Sequence, residues 1–268
     1  MAATEPVFDL STERTLAGLG SARDRFRVEV HREIDSTSDA LRRRAESGDI
    51  DGLVIAAETQ IAGHGRHGRA WVDRPGGSLL FSLGWRAPLA LPALAGLSLA
   101  AGVAVCEVLE GQGVAAMQLK WPNDLLHRHC KLGGILVETA VPQAGATPVI
   151  LGIGINIELD AMLRDAVAAP VTDLLSAGWR GDRSDLLAAI LLELRSALDS
   201  FAAEGFQPFR AAWLRRHALQ QRNVTIWRAG HEIAAGRAIG VDRDGALLLQ
   251  TPAGIRRLLS GELTLRPG

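Results

Sequence analysis

The sequence predicts an α+β fold, a mixed sheet packed with helices and followed by a small β-barrel, and three observations predict it. Stretches with helical spacing alternate with β-like runs as far as Gln220. Two apolar runs, Leu132–Thr139 and Pro148–Ile157, read as an antiparallel pair joined by a Pro/Gly turn at 142–146. After Gln220 the helix period vanishes and five short β-like runs follow. A chain of 268 residues lies where single cores begin to divide. We expect a larger unit over 1–219 and a small one over 220–268.

Taken in order, residues 8–20 read as a short helix that Asp9 or Ser11 could cap. Phe26–His31 alternates like a strand. Ser36-Thr37-Ser38-Asp39 is a helix start, with Ala40, Leu41 and Ala45 at helical spacing before Gly48 and Gly52. Leu53–Ala57 is a buried strand, a Gly/Arg loop spans Gly63–Arg69, and Gly77–Trp85 returns as a strand. Residues 92–110 form the most apolar helix. Met117–Trp121 is a strand that Pro122 ends, which leaves Asn123 and Asp124 in a turn. Helices are expected from Asp182 or Ser184 to about Ala203 and over 207–217. The five final runs are Val224–Arg228, Glu232–Ile239, Ala246–Gln250, Ile255–Leu259 and Glu262–Leu265, with turn signals at Asp242–Gly245 and Thr251–Gly254.

Composition excludes several classes. Hydrophobic residues are 47% and charged residues 22%, which rules out a disordered chain, and a net charge of −1 argues against bulk attraction to nucleic acid or anionic membrane. No signal pattern opens the chain, and Leu89–Leu109 is too interrupted for a clean span, so a soluble cytoplasmic protein is expected. Cys106 and Cys130 make neither a disulfide framework nor a four-ligand zinc site. His127-Arg128-His129-Cys130 is too short to enclose a metal. Only Lys120 and Lys131 among 29 basic residues are lysine, and only Asn123, Asn156 and Asn223 are asparagine. Where a compact ammonium must reach one oxygen, arginine is no substitute. Both lysines and two of the asparagines fall in the motifs that follow.

Gly63-His64-Gly65-Arg66-His67-Gly68-Arg69-Ala70-Trp71 contains Gly-x-Gly-x-x-Gly after a strand. No helix follows to receive a pyrophosphate, so the dinucleotide reading fails its context. Three glycines free the backbone while Arg66 and Arg69 carry fork donors for phosphate or carboxylate; the alternative is a solvated basic turn. Lys120-Trp121-Pro122-Asn123-Asp124 precedes Lys131-Leu132-Gly133-Gly134 and brings cations, an amide and a carboxylate to one sheet end. Gly133 and Gly134 leave backbone bare for a flat or bulky ligand; a well-capped hairpin would look the same. In Leu151–Ile157, Gly152 and Gly154 suggest close packing, and Asn156 offers a donor and an acceptor, as a base edge requires. No Gly-x-Ser-x-Gly elbow or Walker A loop is present, and no hydrolase triad can be argued.

Together these segments resemble biotin–protein ligases. The family loop Gly-Arg-Gly-Arg-x-Gly-Arg-x-Trp reads GHGRHGRAW, and KWPND, KLGGIL and GIGIN match in order, as do the closing GALLL and SGELTLR. The likeness runs from about Val30 to the C-terminus. It implies a catalytic domain like that of class II synthetases with an SH3-like barrel, and a reaction in which biotin and ATP, with Mg2+, give biotinyl-5′-adenylate. A lysine of a biotin carboxyl carrier domain then takes the biotin. By the same resemblance Ser36, Thr37, Ser38, Gln60, His64, Gly65, Arg66 and Lys131 would meet biotin, with Lys131 on the reacting carboxylate. Arg66 and Arg69 would meet phosphates. Trp71, Asn123 and Asn156 would bind the adenylate, and Asp124 would serve the metal or the incoming amine. Gly63, Lys120, Gly133, Gly134 and Gly154 complete the expected substrate site; dedicated metal ligands are unknown.

Two positions depart from the family. His64 stands for an arginine, which makes one cation pH-dependent, and Ser38 stands for an asparagine. About 30 residues precede the Ser-Thr motif, too few for the winged helix with which some members bind operator DNA, so no operator binding is expected. Gly77–Trp85 lies in the region the family uses for self-association, which allows a homodimer. A lipoate or octanoate ligase-like acyltransferase and a non-catalytic biotin sensor are the alternatives.

Overall fold

Strand order explains most of the burial in the computed structural model, which describes residues 10–141, 145–166, 169–259 and 263–267. The described chain opens with α1 (Thr12–Gly18), where the Ser11 hydroxyl accepts the Arg14 N–H at 3.1 Å. β1 (Arg27–Ile34), α2 (Thr37–Ser47), β2 (Leu53–Gln60), β3 (Ser78–Ala87) and α3 (Leu97–Gly111) follow. Next come β4 (Met117–Lys120), β5 (Asp124–His127), β6 (Cys130–Thr139) and β7 (Thr147–Asn156). These seven strands form one sheet in the order β1-β2-β3-β7-β6-β5-β4; β1 and β2 run parallel and every other neighbour antiparallel.

β7 lies at the centre, which is why its sequence is apolar on both faces instead of alternating. β6 and β7 pair antiparallel as expected, while residues 142–144 of the turn fall outside the described residues. β3 is flanked by β2 and β7, so it offers no free edge; a second copy added strand to strand would meet β1 or β4 instead. Asp124, expected in a turn, starts β5. The hairpin turn is only Trp121-Pro122-Asn123, and Lys120 pairs directly with Asp124.

Helix α2 is capped by Ser36 and buries Ala40, Leu41 and Ala45, the face its spacing marks. α3 begins later than residue 92, because a 3-10 turn occupies Leu91–Leu94. Leu91–Gly111 is long and apolar enough to cross a membrane, but α3 is buried nearly all round and packs on α5 (Arg183–Glu204). Between β7 and α5 lies α4 (Ala161–Ala166). Asp182 caps α5 by accepting the N–H groups of Ser184 and Asp185 at 2.7 and 3.3 Å. α6 (Gln207–Arg216) ends the first unit.

The five terminal runs are β8 (Asn223–Arg228), β9 (His231–Val241), β10 (Leu247–Thr251), β11 (Gly254–Leu258) and β12 (Leu263–Pro267). They form an antiparallel sheet ordered β11-β10-β9-β8-β12, consistent with an SH3-like unit; among the described residues no hydrogen-bonded pair of β11 and β12 closes it into a barrel. This sheet sits on the first unit. The Trp121 indole N–H donates to the Gly245 carbonyl at 3.1 Å, and Arg210 of α6 donates to the Val241 carbonyl of β9 at 2.9 Å. At Gly96, φ is 83° and a β-carbon would come within 2.8 Å of Phe206, so only glycine fits that corner.

Candidate functional site

The β4–β5 hairpin assembles the charges. Lys120 at the end of β4 and Lys131 at the start of β6 both approach Asp124, with Nζ to carboxylate distances of 3.8 and 2.8 Å. One carboxylate thus spaces two ammonium groups that would otherwise repel. Burial pushes the Lys120 pKa down, Asp124 opposes that shift, and the nearby cations Lys131, Arg69 and Arg266 add to it.

The Gly/Arg loop folds back over this hairpin. His64 bridges Ala70, Gly65 N–H donates to Arg69 at 2.8 Å, and Trp71 N–H donates to Gly63 at 2.9 Å. The tip turns through His67 and Gly68, whose φ angles are 59° and 67°. Arg66 reaches inward, donating to Asn123 Oδ1 at 3.5 Å and to the Leu263 carbonyl of β12 at 3.1 Å. Burial and the neighbouring Arg69 lower its pKa, and Asp124 opposes the change. His64 lies between two carboxylates, 3.7 Å from Asp39 and 4.0 Å from Glu138, and Arg42 pairs with both.

A hydroxyl cluster closes the other end. Gln60 Oε1 accepts the Thr37 N–H at 2.7 Å and the Thr37 hydroxyl at 3.0 Å. Buried Ser82 on β3 lies 2.8 Å from the Thr37 hydroxyl and 3.0 Å from that of Ser38. Between the two ends the sheet is bare. A β-carbon at Gly152 would sit 2.6 Å from Ser38 Oγ, and one at Gly154 would sit 2.8 Å from the Trp71 ring. The flat group against the bare strand is therefore this chain's own indole, whose buried Nε1 has no hydrogen-bond partner among the described residues. The resulting cavity holds about 430 Å³, in the usual range for a small-molecule site.

Ser36, Thr37, Ser38, Gln60, His64, Gly65, Arg66, Arg69, Trp71, Lys120, Asn123, Asp124, Lys131, Gly134 and Gly154 all line this cavity. Gly63, Gly133 and Asn156 do not. Gly63 packs on Gln60, Gly133 lets the β7 backbone approach, and Asn156 is buried with its amide donating to the Thr172 carbonyl at 3.0 Å. Ala169 lines the cavity from a segment that carries no motif, and Leu265 from the closing SGELTLR, a run with no expected part in the site. His67, inside the loop motif, also faces it. Ser82 could be suspected only from its place on a strand that otherwise faces the core.

The site's setting matches known proteins. Residues 30–156 fit the biotin/lipoate A/B protein ligase family, and residues 222–266 fit the biotin protein ligase C-terminal domain. The bifunctional ligase/repressor BirA of Escherichia coli is 36% identical over 98% of this chain and 80% of its own length. The biotin--[acetyl-CoA-carboxylase] ligase of Mycobacterium tuberculosis is 34% identical over 91% of this chain and 90% of its own. Among solved structures, the biotin protein ligase from Aquifex aeolicus in complex with biotin and ATP superposes with a TM-score of 0.75, at 28% identity, over 90% of this chain and 99% of that one. On the two matched domains and on identity across nearly its whole length, this chain belongs to the biotin protein ligase family.

Proposed function

We propose that this chain is an ATP-dependent biotin–protein ligase. A biotin carboxylate oxygen attacks the α-phosphorus of ATP, forming biotinyl-5′-adenylate and releasing pyrophosphate. The amine of a lysine on a biotin carboxyl carrier domain then attacks the acyl carbon, loses a proton and displaces AMP. The observation that carries this reading is the Lys131 ammonium, held 2.8 Å from Asp124 inside a cavity roofed by Arg66 and Arg69. Lys131 neutralises the vitamin carboxylate. Arg66 and Arg69 meet the charge of the phosphates, and Trp71 and Asn123 face the adenylate.

We assign Asp124, which pairs with Lys131 at 2.8 Å and lies 3.8 Å from Lys120, to the second step, beside the incoming amine. Magnesium accompanies the nucleotide's own phosphates. Among the described residues no group of three acidic, histidine or cysteine side chains offers it a cage. We assign catalysis to residues 1–219 and the SH3-like unit to 220–268, a division supported by the change from helix at Arg216 to strand at Asn223. We assign the cytoplasm as its compartment.

The test is incorporation of labelled biotin into a carboxyl-carrier domain with and without ATP. Label that depends on ATP supports the reading; none with both substrates present overturns it. Calorimetry with biotin against lipoate separates it from the lipoate branch of the family.

A further inference from the structure

We infer that residues 169–174 form a positioning strap for Lys131, held in place by Asp173; this rests on the reading of Lys131 as the group that neutralises the vitamin carboxylate. Lys131 stands at a defect in the sheet. Towards β5 it pairs with Leu126, but the register shifts there, and Leu125 pairs with Gly133. Towards β7 the ladder starts only at Gly133, opposite Ile155. A backbone left unpaired at this point would lose its hydrogen bonds and its stiffness.

The strap supplies what β7 does not. Lys131 N–H donates to the Pro170 carbonyl at 2.8 Å, and Thr172 N–H donates to the Lys131 carbonyl at 2.9 Å, a parallel bridge centred on Val171. Ala169, at the start of the same segment, lines the cavity. Asn156 fastens the strap to the end of β7: its amide donates to the Thr172 carbonyl at 3.0 Å, and its own carbonyl accepts the Leu174 N–H at 3.0 Å.

Asp173 is the anchor. It is 1% exposed, and its carboxylate accepts Ser176 N–H at 2.7 Å and Leu159 N–H at 3.1 Å while pairing with Arg164. Arg164 donates in turn to the Leu159 carbonyl at 3.2 Å and to the Ser176 hydroxyl at 3.1 Å. Only an ionised carboxylate accepts all three donors at once. Asp173→Asn turns an amide N–H2 toward one of them, loosens 170–172, and lets the ammonium drift from the substrate carboxylate. Misplacement by about 1 Å can cost on the order of 10²-fold.

A merely structural role would weaken all ligands alike. The deciding readout is therefore the ratio of affinities for biotin and for biotinol, the uncharged alcohol with the same ring system, measured by calorimetry on the full chain. In the parent chain biotin should bind better, and Lys131→Ala should remove that preference. Asp173→Asn should cut the preference about fivefold or more while biotinol affinity changes less than twofold. Equal losses for both ligands, or an unchanged ratio, would overturn the strap. Should Asp173→Asn fail to fold, Arg164→Gln, at a half-exposed position, should lower the ratio about threefold, and no change there overturns the inference equally. A parent chain that binds neither ligand would instead defeat the functional reading itself.

Discussion

Residue-scale electrostatics make the sharpest demands on the site. Lys131→Ala removes the cation that meets the carboxylate, and ATP–pyrophosphate exchange with biotin should fall by about 10²–10³-fold, the usual loss for a charge-stabilising group. Because Lys131 is partly exposed, its melting temperature should stay close to the parent value. Asp124→Asn should instead slow biotin transfer from presynthesised adenylate by about 10²-fold; normal turnover in both half-reactions would remove Asp124 from the amine. Asp73, two residues beyond Trp71, makes a different claim. Burial raises its pKa from 3.8 to about 6, with the Gln60 N–H in partial opposition, and one of its oxygens has no partner among the described residues. Between those values the folded carboxyl holds a proton that the unfolded one has released, so its contribution to stability declines as pH rises through that window. Asp73→Asn should raise the melting temperature at pH 7.5, relative to the parent, and the gain should shrink as pH falls below about 6 and be gone only below about pH 3.8.

Elements differ in how far their sequences disclose them. β7 and α3 could be read directly, because burial on all sides leaves a continuous apolar run. The Ser36 and Asp182 caps could be read because a short polar side chain before an apolar period has few other uses. β5 could not. It has four residues directly after Pro122-Asn123, too few for a period, and its pairing with β4 comes from the hairpin. Asn156 read as a ligand group, yet its amide binds a carbonyl sixteen positions away, a partner that only the fold supplies. The motif-borne part of the cavity was legible because its chemistry is local in sequence. Ala169 on its wall and Ser82 behind Thr37 and Ser38 were not, since each arrives from a segment with no chemistry of its own. The bare face of β6 and β7 yields a paired prediction. Gly154→Ala places a β-carbon 2.8 Å from the Trp71 ring, so the indole must move; about 1–3 kcal/mol of stability should be lost, with weaker ATP binding. Gly134→Ala meets nothing closer than 3.8 Å, so the melting temperature should hold while substrate binding weakens. Thermal melts and nucleotide titrations of the two variants check both.

At the scale of the whole molecule, the two sheets meet at a joint that contains a histidine. His217 follows α6, stacks on Trp213 with centroids 4.5 Å apart, and is 6% exposed. Its Nδ1 pairs with Gln220 at 2.9 Å, Gln220 donates to the Ile239 carbonyl of β9 at 3.2 Å, and Ala218 ties the same turn to Leu119, beside Lys120. Nε2 is buried without a partner among the described residues. Burial therefore pushes the His217 pKa below its ordinary 6.5, with the Gln220 contact in opposition. Unfolded chains take up a proton here before folded ones do. The neutral joint keeps its full stability above about pH 6.5 and loses it as pH falls from there through the lower folded value. Since β9, which this turn holds, pairs with β8 and β8 with β12, whose Leu263 carbonyl accepts from Arg66 and whose Leu265 lines the cavity, acid should loosen the Gly/Arg loop before the first sheet unfolds. Melting temperatures recorded from pH 7.5 down to 5.0 should fall more steeply for the parent than for His217→Gln, which cannot be protonated. Parallel slopes for the two chains would mean that the joint does not respond to this proton.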